Sequence, residues 1–174
     1  MKPNSQLPLR QELFWKYSQE LYKMLPEDTT EKESNEYAEY LNAVPYVRWI
    51  DIKKDSKVVG FLIIGTAPEC HPNADYFILH AYVKSEYRRK RLAFKAISRF
   101  LKEHRGVYCL DIININDAAH FFWNFAFNKN EYLPVVLPYV PHNEGEGVTT
   151  YGFAPGGYEF SNQTKEQVKN VNAN

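Results

Sequence analysis

Cysteine is scarce in this chain: two in 174 residues, Cys70 and Cys109. Neither belongs to a Cys-x-x-Cys pair or a Cys/His cluster, which argues against a disulfide framework and against a structural zinc site. Long apolar runs are missing as well. None approaches the roughly 18 residues needed to span a bilayer. The opening Met1-Lys2-Pro3-Asn4-Ser5-Gln6 carries no apolar segment of the signal-peptide type. Excess charge of one sign is also missing, since Lys+Arg and Asp+Glu are 21 each. Coating of nucleic acid by bulk charge is therefore disfavoured, leaving only a local basic patch. The expectation is a cytoplasmic, soluble protein, monomer or homodimer, with no metal, no membrane contact and no nucleic-acid partner.

What is present is core material. The chain is 44% hydrophobic and 16% aromatic, with 13 Tyr and 11 Phe. That suffices for one domain, expected over residues 1–160, with a polar tail over 161–174. Leu13, Tyr17, Leu21 and Met24/Leu25 recur at helical spacing until Pro26 stops them. Thr30 and Glu33 have capping-box spacing, and Tyr37, Tyr40/Leu41 and Val44 form the apolar stripe of a second helix before Pro45. These tyrosines are core packing or the lining of a pocket.

The pattern then changes period. Residues 47–52 alternate, Lys53-Lys54-Asp55-Ser56 is a polar turn, and 58–64 is an apolar run, which together read as a hairpin. Residues 76–83 are apolar on both faces, as expected of a covered strand. A basic turn leads to a helix with Ala93, Ala96/Ile97 and Phe100/Leu101 on one face, ended by Gly106. Residues 107–113 form a further strand. Asn116-Asp117 caps another helix through Phe125, with Phe121, Phe122, Trp123 and Phe125 expected largely in the core. Pro134 and Pro138 make 132–140 an edge strand or an irregular one, residues 141–148 are a Gly/Glu loop, and 148–153 is a last strand. The fold class is α/β with a mixed sheet flanked by helices, and strand–helix–strand over 76–113 suggests a crossover connection.

The chemistry concentrates where the third strand enters its helix, residues 81–96. A helix N-terminus presents unpaired N–H groups and partial positive charge. Four successive cations, Arg88, Arg89, Lys90 and Arg91, strengthen it. Such a site suits a diphosphate. A solvated basic turn is the plainer reading, and a contact patch for RNA is a third, which the neutral net charge disfavours.

Val83 to Ala93 resembles the acyl-CoA-binding signature of the GCN5-related N-acetyltransferases, Arg/Gln-x-x-Gly-x-Gly/Ala, with Arg88 in its first position and Ala93 in its last. Val58-Val59-Gly60-Phe61 resembles the family's hydrophobic-Val-Gly-hydrophobic strand, and Asn116 to Phe127 its late Asn-x-x-Ala segment. The likeness covers about residues 47–127. It implies a GNAT-like acyl-CoA N-acyltransferase fold, with acetyl-CoA as co-substrate and a small-molecule, peptide or protein amine as acceptor. It implies further that residues 1–45 lie on the acceptor side, that the backbone of Ala81, Tyr82 and Val83 pairs with pantetheine, and that Arg88 to Arg91, Leu92 and Ala93 hold the diphosphate. Asn116 and Phe122 would border the pantetheine arm.

Three departures stand out. Arg91 occupies the middle glycine position of the signature. The place of the family's proton-donating tyrosine falls on Phe122 or Trp123. Residues 1–10, with Pro3 and Pro8, are poor material for the strand that usually opens the fold. His80, beside the implied acyl group, is the candidate general base, though a lone histidine in an apolar strand is more often simply packed. Asp75 and Tyr76 are weaker candidates. Glu144 and Glu146, with His142 in the loop before the last strand, are candidates for attracting a cationic amine. The alternative to an enzyme is a catalytically degenerate domain that binds CoA or another anion as a regulatory or interaction module.

Overall fold

The computed structural model describes residues 6–69, 73–137 and 147–158. These fall into two compact units, one drawn from residues 1–65 and 78–99, the other from 66–77 and 100–174.

The first unit opens with helix α1 (Leu7–Leu21), with Pro8 in its first turn, where a missing N–H costs nothing. No strand precedes it among the described residues, in line with the proline content of the N-terminus. Helix α2 (Glu31–Ala43) starts with the expected capping box: the Thr30 hydroxyl accepts from the Glu33 N–H, and the Glu33 carboxylate accepts from the Thr30 N–H at 2.8 Å. The buried face of α2 differs from the stripe read in the sequence. Ser34, Ala38 and Leu41 are buried, whereas Tyr37 and Tyr40 are 43% and 54% exposed and stack on each other. Small residues sit where α1 and α2 touch, and Ser18 and Ser34 share a buried hydroxyl hydrogen bond of 2.9 Å there.

Strands β1 (Val47–Lys54), β2 (Lys57–Thr66) and β3 (Tyr76–Val83) follow, in the order β1-β2-β3. The β1–β2 hairpin is antiparallel and turns on Asp55 and Ser56, both at positive φ (48° and 65°), as a two-residue hairpin turn requires. The register passes from Ile52↔Gly60 to Lys53↔Val58, so Val59 is an extra residue on β2, a β-bulge. The bulge reverses the alternation. Phe61 and Ile63 pack with Leu13, Phe14, Ala38 and Leu41 of α1 and α2, while Val59 packs with Val83, Leu92, Ala93 and Ala96 around the start of α3 (Leu92–Glu103). Arg10 ties α1 to its neighbours through Asp51 (3.2 Å), the Asn42 side-chain oxygen (2.6 Å) and the Trp49 ring.

In the second unit, β4 (Tyr108–Ile113), β6 (Val148–Pro155) and β5 (Tyr132–Val135) are antiparallel in the order β4-β6-β5. Pro134 lies on the edge strand β5, as expected. Helix α4 (Asp117–Lys129) buries Trp123, Ala126 and Phe127. The aromatic cluster at its start is less buried than its composition suggested. Phe121 and Phe125 are 76% and 38% exposed and stack one turn apart on the outer face, since an i, i+4 pair shares one face. Asp75 serves the fold, its carboxylate accepting from the Val107 N–H at 2.7 Å. Cys109 is buried, and burial pushes its thiol up to about 12, which leaves it unreactive.

Gly60 is where two strands come closest. A Cβ there would meet the Tyr82 carbonyl oxygen at 2.2 Å and the Val83 Cα at 2.9 Å, both backbone atoms. Gly60→Ala is therefore expected to destabilise the protein by about 2–3 kcal/mol, read as a fall in thermal unfolding temperature of several degrees by circular dichroism. An unchanged midpoint would show that β2 and β3 part freely.

Candidate functional site

The turn after β3 is built by its own backbone. A short 3-10 segment, Ser85–Tyr87, is followed by residues whose φ alternates in sign: Arg88 at −67°, Arg89 at 60°, and Arg91 at 58°, with Lys90 between them outside the positive-φ region. Arg88 is extended, so Arg89 and Arg91 serve as two sharp left-handed bends that bring the chain directly to the N-terminus of α3, whose unpaired N–H groups suit an anion. The second bend also explains how arginine stands at the signature's glycine position. The backbone keeps the left-handed conformation a glycine would take, at a cost of about 1–2 kcal/mol. The Arg91 carbonyl then accepts the first α3 hydrogen bond, from Lys95 N–H at 2.9 Å.

The four cations divide into two kinds. Arg88 is held: its Nε donates to the Val83 carbonyl at 2.7 Å, its Nη2 bonds the Glu20 carboxylate, and its guanidinium lies 5.5 Å from the Tyr82 ring centre. Glu20 also accepts from the Tyr82 hydroxyl at 3.1 Å. Lys90 donates to the Glu86 carbonyl at 2.8 Å and sits over Tyr87. Arg89 and Arg91 are exposed and have no ion-pair partner among the described residues. Two of the four are thus available to an anion beside the α3 N-terminus, with Leu92 and Ala93 half-buried in its first turn. Glu20 escaped the sequence reading because nothing local marks a residue 68 positions from its partner.

Of the pantetheine-pairing candidates, Tyr82 and Val83 are buried and Ala81 is half-buried. One edge of β3 is closed here by Gly60 and by the Lys84 N–H donating to the Val59 carbonyl at 2.9 Å. Any pairing of Ala81 to Val83 with a ligand has to use the other edge.

His80 faces α1 and α2. Phe14, Tyr17 and Tyr37 surround its ring at centroid distances of 5.3, 5.4 and 5.8 Å. Its Nδ1 shares a hydrogen bond of 3.1 Å with the Tyr17 hydroxyl, and its Nε2 is buried without a partner. Burial lowers its pKa from 6.5 to about 4 and pushes the Tyr17 hydroxyl well above its ordinary value. The imidazole is therefore neutral at pH 7. His80, Phe14 and Tyr17 line a cavity of about 300 Å³ together with Tyr37, Asp28 and Glu33. Phe14, Tyr17, Asp28 and Glu33 were not among the residues the sequence assigned to a site; only the tyrosines of the α2 stripe, Tyr37 among them, were read as the lining of a pocket.

The remaining candidates lie in the second unit or outside the described residues. Asn116 is the N-cap of α4, its side-chain oxygen accepting from the Ala119 N–H at 3.1 Å. Phe122 is half-buried, edge-on to the buried Trp123. Neither aromatic can donate a proton to a thiolate. Nearby, the Tyr151 hydroxyl and His120 Nδ1 share a hydrogen bond of 2.9 Å. His142, Glu144 and Glu146 lie outside the described residues. Among the described residues, no group of three or more His, Cys, Asp or Glu is placed to hold a metal ion, and no helix is long and apolar enough to cross a membrane.

The state of His80 has a consequence for acid stability. A histidine whose folded pKa lies below its unfolded value contributes stability in full above the unfolded pKa, and that contribution is lost as pH falls from about 6.5 through about 4. The loss attributable to His80 is up to about 3 kcal/mol. His80→Asn should flatten stability against pH in this window, measured by urea unfolding at pH 7, 5.5 and 4.5. Parallel curves for both proteins would mean that His80 titrates normally in the fold.

Comparison with known proteins bears on what this arrangement is. No curated protein sequence matches the chain. Solved structures do. An acetyltransferase from Thermus thermophilus aligns with a TM-score of 0.62 at 17% identity, covering 84% of this chain and 89% of that one. Diaminobutyrate acetyltransferase from Paenibacillus lautus, in complex with L-2,4-diaminobutyric acid and coenzyme A, aligns at 0.59 and 13%, covering 88% and 93%. The ribosomal-protein-S18-alanine N-acetyltransferase of Escherichia coli aligns at 0.52 and 14%, covering 91% and 93%. At such identities the likeness shows the fold, which is the expected acyl-CoA N-acyltransferase fold with a mixed sheet flanked by helices. The family model described as "Acetyltransferase (GNAT) family" matches residues 11–127, about two-thirds of the sequence, and takes in α1 and α2 as well as the stretch singled out from residue 47 onwards. This chain belongs to the GNAT family of acetyltransferases.

Proposed function

We propose that the protein is an acetyl-CoA-dependent N-acetyltransferase that acts on a primary amine. The observation that carries this is the turn of alternating φ at Arg89 and Arg91, opening directly onto the N-terminus of α3 at the place of the family's signature. It supplies backbone N–H groups, the helix dipole and two exposed guanidinium groups, the requirements of a diphosphate. That a structural relative was solved with coenzyme A agrees with this reading.

The residues fit the co-substrate as follows. Arg89, Arg91 and the first-turn amides of α3 hold the diphosphate. Arg88 shapes the turn through Val83 and Glu20 and does not face the anion. The pantetheine amides pair with Ala81 to Val83 along the edge of β3 away from β2. Asn116, in the second unit, has its side-chain oxygen committed to the α4 cap, so its amide nitrogen is what it offers a ligand. A bound thioester supplies an already activated carbonyl, and the protein's share is to place an amine against it.

Proton balance decides the part of His80. The acceptor enters as an ammonium of pKa about 10.4. Moving that proton to an imidazole with pKa about 4 is uphill by about 9 kcal/mol. The amine therefore loses its proton to bulk solvent before reaction, at a cost of about 5 kcal/mol at pH 7, and His80 receives the neutral amine as a hydrogen-bond partner. Phe122 and Trp123, at the sequence position of the family's tyrosine, cannot donate a proton, and a thiolate of pKa about 8.5 departs as the anion or takes its proton from water. The same two aromatics favour the second reading, a CoA-binding module without turnover.

Acetyl-CoA is expected to raise the unfolding temperature, and free CoA to appear when amines are added. A shift without turnover on any amine would establish the binding module instead; no shift would remove both readings. Arg89→Ala with Arg91→Ala should weaken acetyl-CoA binding about tenfold or more, while Arg88→Ala lowers stability more than affinity. Arg91→Gly separates backbone from side chain: relief of the left-handed residue should stabilise the fold by about 1 kcal/mol, and loss of the guanidinium should still weaken binding.

A further inference from the structure

We infer that the acceptor is a small aliphatic diamine or polyamine, seated in the cavity of α1, α2 and β3 with one ammonium at the Asp28 and Glu33 carboxylates and the other nitrogen beside His80. This names the acceptor class of the proposed acetyltransferase and rests on that reading.

The cavity's charge is one-sided. At about 300 Å³ it is at the small end of ligand sites. Its charged lining residues are Asp28 and Glu33; no lysine or arginine lines it. Glu33 stays ionised, because the Thr30 N–H and hydroxyl bonds hold its carboxyl below the ordinary range. An acceptor bearing its own carboxylate, such as an α-amino acid, would find two like charges and no counter-ion. An acceptor with a second ammonium finds complementary charge.

The inner wall selects differently. Phe14, Tyr17 and Tyr37 present ring surfaces that favour methylene groups and tolerate a cation at their faces. Among them, His80 Nε2 is buried without a hydrogen-bond partner. Orphaned buried polar atoms are uncommon and costly. A neutral amine both donates and accepts, so it satisfies this nitrogen in either tautomer. An ammonium there would have to shed its hydration for a neutral ring. A diamine meets both demands at once: one nitrogen stays charged at the exposed mouth, while the other gives its proton to the solvent and is neutral at the reacting end, so binding tightens as pH rises toward the amine pKa of about 10.4.

The test uses the whole chain without acetyl-CoA, by titration calorimetry with 1,4-diaminobutane, 1-aminobutane and 4-aminobutanoate. Near the amine pKa, the diamine is expected to bind about fivefold tighter than the monoamine, given its second contact at His80 Nε2, and the amino acid not measurably. Asp28→Asn, an exposed position expected to fold normally, should cost the diamine about threefold, and the monoamine, whose one nitrogen is an ammonium at the same carboxylates, a similar factor. Equal affinity for all three probes, no binding of the diamine, or an indifferent Asp28→Asn would overturn the inference. Thermal shift with acetyl-CoA alone is measured in parallel. If it persists while the diamine fails, the acetyltransferase reading stands and only the acceptor assignment falls; if it is absent, both fall.

Discussion

The chain must leave β3 and start α3 within eight residues, and the guanidinium of Arg88 controls how it does so. It reaches back to the carbonyl of Val83, across to Glu20 on α1, and over the ring of Tyr82. The ion pair is partly exposed, and such pairs contribute little energy. Its value is positional. With Arg88 pinned, the following residues alternate in φ, Arg89 and Arg91 project without ion-pair partners among the described residues, and α3 begins with its amides turned to the same place. An anion site made from backbone needs this sort of external brace, because nothing in a solvated turn of four cations would otherwise keep like charges together.

The other side of β3 is organised by aromatic rings. Phe14 touches Tyr17, Tyr37, Trp49, Phe61 and His80, so one residue of α1 arranges the aromatic packing of the unit. The same rings wall the cavity. Their apolar bulk keeps His80 neutral, and the rings around it offer its buried Nε2 no partner. A histidine so placed is a poor store for a proton and a good neutral contact for an amine. The distinction follows from desolvation alone.

Several parts of this were readable from the one-dimensional pattern. The capping box at Thr30 and Glu33, the hairpin turn at Asp55-Ser56, the bounds of β3 and the edge character of β5 all follow from local rules, and all are present. Gly60 was visible as part of a motif, although its reason, the carbonyl of Tyr82 beneath it, was not. Other readings failed where a local rule met a tertiary contact. Tyr37 and Tyr40 carry large aromatic side chains, but the face of α2 that meets α1 is the one with Ser34, Ala38 and Leu41, and it is this face that is buried. Phe121 and Phe125 looked like core and are on the outer face, since the sheet side of α4 is already filled by Trp123 and Phe127.

Sequence alone determined the element types, the family resemblance and the place of the basic turn, because helix periods, caps, turn residues and a strand-to-helix signature are all written over short separations. It did not determine which cations are available, what protonation state His80 holds, or that Asp28 and Glu33 share a cavity with it. Those depend on partners dozens of residues away, Glu20 for Arg88 and Phe14 with Tyr17 for His80, and only folding brings such groups within the few ångströms over which hydrogen bonds and desolvation act.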